Sequence, residues 1–249
     1  MHTIRLTLEY DGTRYAGWQR QETAPTVQGA VEAALAGILG KRVAVVGASR
    51  TDAGVHATGQ VAHFHTDLPV SPEKWPFVLN ACLPSDIVAR EATLASSDFH
   101  ARFSAIGKRY RYTVLAQPQP SALWRERAFH VYRPLDVARM RQAAACLAGE
   151  HDFAAFRDAG CEARTTRRTL HRVAITEDPP FLRLEVEGNA FLYHMVRILA
   201  GTLVDIGTGR LPADCLPALL AGRDRRLAGQ TAPACGLCLE QVLYPEPRA

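Results

Sequence analysis

Val43-Ala44-Val45-Val46-Gly47-Ala48-Ser49-Arg50-Thr51-Asp52-Ala53-Gly54-Val55-His56-Ala57 changes character twice. It starts apolar and β-branched, turns polar between two glycines, and becomes rich in Val, Phe and Thr from Val55 to His65. That pattern reads as a loop joining two strands. Loops held by strands carry a large share of protein chemistry. The same residues also fit an ordinary tight turn whose Asp and Ser bond their own backbone. The flanking sequence has to choose between these readings.

Towards the N-terminus, Thr3 to Tyr10 alternates strictly, with Ile4, Leu6, Leu8 and Tyr10 on one face, as a half-buried strand requires. Asp11-Gly12 ends it, and a loop carrying Trp18-Gln19-Arg20-Gln21 leads to Thr26, the expected N-cap of a helix closing near Gly40. Val27, Val31, Ala34 and Ile38 give that helix its apolar stripe. Towards the C-terminus, Leu68 to Pro84 contains a short helix, and Ile87 to Ala92 and Arg109 to Leu115 read as strands. Gln117 to His130 reads as a long loop. A helix over about Asp136 to Ala148, strands near Leu170 to Thr176 and Phe181 to Gly188, an apolar helix from Phe191 to about Ile206, and a strand near Leu237 to Tyr244 complete the order. The expected fold is α+β, with two similar α/β halves, residues 1–106 and 107–249, sharing a mainly antiparallel sheet. A site is expected in the cleft between the halves.

Composition is that of a soluble globular chain: 249 residues, 47% hydrophobic and 22% charged. No apolar run is long enough to span a membrane and no signal region opens the sequence, so a cytoplasmic protein is expected. The six cysteines are then expected to be reduced. Net charge is only +4, but basic residues cluster at 108–109, 125–127, 164–172 and 223–226, which suits a polyanionic partner.

Asp52 is the leading catalytic carboxylate, two residues from Arg50 in a Gly-flanked loop. An ionised, positioned Asp can act as nucleophile, as base or as stabiliser of a positive sugar carbon. Arg197 lies inside an apolar helical segment and is either at its exposed edge or paired within a site. Tyr110, beside Lys108, Arg109 and Arg111, suits stacking of a base among phosphate contacts, although a tyrosine in an alternating strand is, taken alone, more often a core residue. His56, His63 and His65 lack the further ligand pair that a metal site needs, and Cys235-Gly236-Leu237-Cys238 lacks the partner motif of a zinc or redox site. His151-Asp152-Phe153 reads as a structural turn. No Walker-type or dinucleotide loop occurs.

The chain resembles the transfer RNA pseudouridine synthase A family over nearly its whole length. The likeness rests on an ordered set of pieces: Tyr10-Asp11-Gly12 with Gly17-Trp18-Gln19, Arg50 to Ala57, Leu83 to Ile87, and Phe99 to Phe103. It continues through Lys108-Arg109-Tyr110, His151-Asp152-Phe153, Met195-Val196-Arg197 and Gly236-Leu237. The resemblance implies that Asp52 is the essential aspartate and that Tyr110, Arg50, Arg197 and Leu237 bind substrate. It implies isomerisation of uridine to pseudouridine in the tRNA anticodon stem-loop, at expected tRNA positions 38–40. It also implies a homodimer that uses neither cofactor nor metal.

Overall fold

The computed structural model describes residues 1–245; the last four residues of the expected 107–249 half lie outside this range. Two compact units are present. The first is Met1–Ile106 together with residues 238–245, and the second is Gly107–Leu237.

In the first unit, β1 (His2–Tyr10) buries Ile4, Leu6, Leu8 and Tyr10 as its alternation requires. The helix α1 (Val27–Leu39) starts where the Thr26 hydroxyl accepts the Gly29 N–H and stops at Gly40, whose φ of 66° admits the left-handed cap. Val27, Val31, Ala34 and Leu35 are buried, with Ile38 at the edge of the stripe. The strand expected over Val43 to Val46 shrinks to β2 (Val46–Gly47). The reason is polar capture: Glu32 accepts the Val45 N–H and Gln28 donates to the Val45 carbonyl, so α1 takes hydrogen bonds a longer strand would need. Next come β3 (His56–Thr66), α2 (Trp75–Asn80) and β4 (Ile87–Ala95). β1 lies antiparallel between β3 and β4, with Ile4 opposite Phe64 and Leu94. Phe64 meets Trp75 edge-on at 5.0 Å, closing α2 onto this sheet.

In the second unit, β5 (Gly107–Ala116) buries Tyr110, Tyr112 and Val114 on one face. The expected loop after it ends in β6 (Phe129–Val131), parallel to β5. Asp136 caps α3 (Val137–Ala144), and β7 (Gly149–Asp152), β8 (Arg167–Asp178) and β9 (Phe181–Gly188) follow. The antiparallel order is β5-β9-β8-β7. The apolar helix α4 (Met195–Gly207) starts four residues later than its composition suggests, because His194 adopts φ 59° and cannot continue a helix backwards. A short helix, α5 (Cys215–Gly222), follows. Back in the first unit, which takes up the chain again at Cys238, β10 (Leu237–Leu243) pairs parallel with β3, Cys238 opposite His56 and Leu239 opposite Ala57. The fold is α+β with mainly antiparallel pairing, and among the described residues no helix is long and apolar enough to cross a membrane.

Candidate functional site

The chain from Ala48 to Val55 is irregular, yet its backbone is tied from several sides. Ala48 N donates to Val61 O, Trp18 N to Thr51 O, Gly54 N to Tyr15 O and Val55 N to Asp52 O. The buried Gln60 amide acts as a missing strand neighbour, accepting from Ser49 N at 3.2 Å and donating to Ser49 O at 2.7 Å. Thr51 Oγ1 lies 2.7 Å from the Tyr10 hydroxyl. Ser49 and Thr51 are therefore drawn inward, and local alternation leaves Arg50 exposed and Asp52 half-exposed. The core orients the carboxylate through its neighbours in sequence.

Gly17 (φ 94°) and Gly12 let the 11–18 segment close against this loop: a Cβ at Gly17 would meet Thr51 O and one at Gly12 would meet Val55 O. Asp86 anchors the segment from outside, accepting from Arg14 and from the Tyr15 hydroxyl at 2.6 Å. Burial, and then the bond to Asp86, push the Tyr15 hydroxyl pKa up. His56 Nδ1 accepts the Gly12 N–H at 3.1 Å, which gives this imidazole a structural duty in the Asp11-Gly12 turn. His63 also works structurally, accepting the Ala101 N–H, and its pKa falls to about 4 through burial and then the neighbouring His100 and His65. Among the described residues no three His, Cys, Asp or Glu side chains are grouped to hold a metal ion.

In the second unit Tyr110 is 7% exposed and meets Phe191 edge-on at 5.0 Å. Strand alternation puts Arg109 and Arg111 on the opposite face, where Arg109 pairs with Glu187 at 2.7 Å. The expected interleaving of aromatic and base is thus divided between two faces. Tyr112 donates to Pro233 O, and burial raises its pKa. The Tyr112 ring also fills the space that a Cβ at Gly236 would take, so β5 fixes the segment leading to the buried Leu237. Arg197, half-buried in the first turn of α4, donates from Nε to Ala232 O at 2.8 Å, and Ala232 N donates back to Arg197 O. Arg50 and Asp52 thus share one loop of the first unit, while in the second residues 232–237 tie Arg197 and Tyr112 to Leu237, with Tyr110 two residues before Tyr112 on β5.

A family model described as tRNA pseudouridine synthase matches residues 7–104 and 143–245. A protein called tRNA pseudouridine synthase A from Acetivibrio thermocellus is 46% identical over 98% of this chain and 100% of its own length. Those of the same name from Ruminiclostridium cellulolyticum and Moorella thermoacetica are 48% and 49% identical, again over 98% of this chain and 100% of theirs. The chain belongs to the tRNA pseudouridine synthase family. Arg50 and Asp52 fall in the first block matched to that family, and Arg197 and Leu237 in the second. Tyr110 falls in the interval between the two blocks.

One network in this synthase gave no sequence signal, since its members are scattered along the chain. Asp158 Oδ2 lies 2.7 Å from His194 Nδ1 and accepts from the Thr231 hydroxyl, while Asp158 Oδ1 accepts from Arg225 Nε at 2.8 Å. His194 is the residue that starts α4, so this carboxylate holds the helix end that carries Arg197. Burial alone would raise the Asp158 pKa, but the bonds from His194, Arg225 and Thr231 outweigh it and hold the value at about 2. A depressed carboxyl pKa stabilises the fold above the unfolded value of about 3.9, and that contribution is lost as pH falls through about 2. Asp158→Asn is expected to cost about 2 kcal/mol at neutral pH and to flatten the acid limb between about pH 4 and 2. Chemical denaturation across that range checks this, and an unaltered acid limb would refute it.

Proposed function

We propose that the protein isomerises uridine to pseudouridine in tRNA, at anticodon stem-loop uridines expected at tRNA positions 38–40, with Asp52 as the essential carboxylate. The observation that carries this reading is the full-length likeness to relatives named tRNA pseudouridine synthase A, together with the family match on both sides of the chain. The exposed-side setting of Asp52 supports its role, because an aspartate that acts on a sugar has to be reachable.

The bond between N1 of the base and the sugar breaks, the uracil turns while held, C5 of the base bonds to the same sugar carbon, and C5 then loses its proton while N1 gains one. Product and substrate have the same composition, one proton lost at C5 being matched by one gained at N1, so no co-reactant is needed. Asp52 meets the electron-poor sugar either by covalent attack or by taking a proton from it. The target base leaves its stack at a cost of a few kcal/mol. Arg50 is suited to occupy the vacated space and Tyr110 to pack on the extruded base, with Arg197 and Leu237 completing substrate binding. In this reading the 1–106 half supplies the catalytic loop and the 107–249 half supplies the rest of the RNA-binding surface. The partners are tRNA and a second copy of the chain, in the cytoplasm.

Incubation with an unmodified tRNA transcript, followed by nucleoside analysis and mapping, tests this. Pseudouridine is expected at positions 38–40. Its absence everywhere would overturn the activity, and its appearance only elsewhere would overturn the anticodon-arm assignment.

A further inference from the structure

Residues 157–172 contain five arginines, and their surroundings differ. Arg167 pairs with Glu150 at 2.7 Å and Arg172 reaches Glu185 at 3.5 Å, while Arg157 and Arg164 are exposed. Arg168 is half-buried, and among the described residues no carboxylate pairs with it. Its Nη1 donates to Arg167 O at 2.6 Å and to the Thr165 hydroxyl at 3.2 Å. Its Nε is sealed from solvent with no acceptor among the described residues. Among the described residues Nη2 has no hydrogen bond, and unlike Nε it is not sealed from solvent, so it is the corner left open to a ligand. Burial lowers the pKa of this group, with only the Cys161 thiol opposing.

A buried donor without an acceptor is rare in folded proteins, and a partly desolvated cation without a counter-ion is costly. Positions that sacrifice stability in this way concentrate where a ligand supplies the missing partner. The register places this one. Arg168 precedes Leu170 by two residues, Leu170 lies opposite Gly188, and Gly188 lies opposite Lys108, two residues before Tyr110. Register partners and alternate residues share a sheet face, so Arg168, Lys108 and Tyr110 lie on one face of this unit.

We propose that Arg168 docks a phosphodiester of the RNA substrate through Nη2, with Arg167 O and the Thr165 hydroxyl fixing the guanidinium plane. This rests on the reading of the protein as acting on RNA. A planar fork with an open corner suits a phosphate oxygen, and the exposed Arg157 and Arg164 supply further positive charge in the same segment.

Arg168→Met separates this role from a structural one, because the two predict different stability effects. Docking predicts that the free protein keeps or raises its unfolding midpoint. In an Asp52→Asn background, where no turnover interferes, tRNA affinity then falls about tenfold and the log-log salt slope drops by about one unit. Arg168→Lys restores most of the slope. A midpoint lowered by more than about 5 °C, or unchanged affinity and slope, overturns the proposal. If the parent itself fails to bind tRNA, the functional reading falls separately and inorganic phosphate decides for Arg168. Phosphate should raise the midpoint of the parent and not of Arg168→Met, and equal shifts overturn docking.

Discussion

Asp52→Asn is expected to leave the fold and tRNA binding in place while cutting pseudouridine formation by at least about 10³-fold. The amide has the shape of the carboxylate but can neither attack the sugar carbon as an anion nor accept a proton from it. The loop itself is shaped by Ser49, Thr51, Gln60, Tyr10 and Trp18, with Asp52 contributing its carbonyl to Val55 N. The loss should therefore appear in turnover under single-turnover conditions, with tRNA affinity and the unfolding midpoint close to those of the parent. Turnover near the parental rate would remove Asp52 from the chemistry. Loss of binding in step with activity would make it a binding residue.

The parts of this molecule legible in sequence are those set by local rules. β1 follows from strict alternation, and α1 from Thr26 at one end and Gly40 at the other. The Asp52 loop stands out because the unusual residues sit side by side. The parts that were not legible depend on partners that topology alone brings near. Val43 to Val45 have strand composition, but two polar side chains of α1 claim the Val45 backbone. The start of α4 is fixed by a left-handed His194 whose partner, Asp158, is 36 residues upstream. β7 is four polar or glycine residues with no apolar period, and α5 carries Pro217 in its first turn. Gln60 looks like any polar strand residue until Ser49 lies beside it. Arg168 is one arginine among several in its run, and only its missing acceptor sets it apart.

Trp18→Ala is expected to be the most damaging change in the shell behind the loop, costing about 3–5 kcal/mol and lowering the unfolding midpoint by about 10 °C. Trp18 is 1% exposed and its ring lies 6.2 Å from that of Tyr10, packing that alanine loses, while its backbone bonds to Thr51 O and from Gln28 N are kept. The indole also lies flat where Gly47 has no side chain, so a Cβ at Gly47 would overlap the ring. Gly47→Ala alone should therefore destabilise as well, by forcing the indole away from the loop. The double variant gives the sharper test. With the indole gone, the methyl that Gly47→Ala adds enters a vacated space, so the combined cost should fall below the sum of the single costs by about 1 kcal/mol or more. Strict additivity would show that Gly47 and Trp18 act independently, and the overlap of a Gly47 methyl with the indole would then not be the source of either cost.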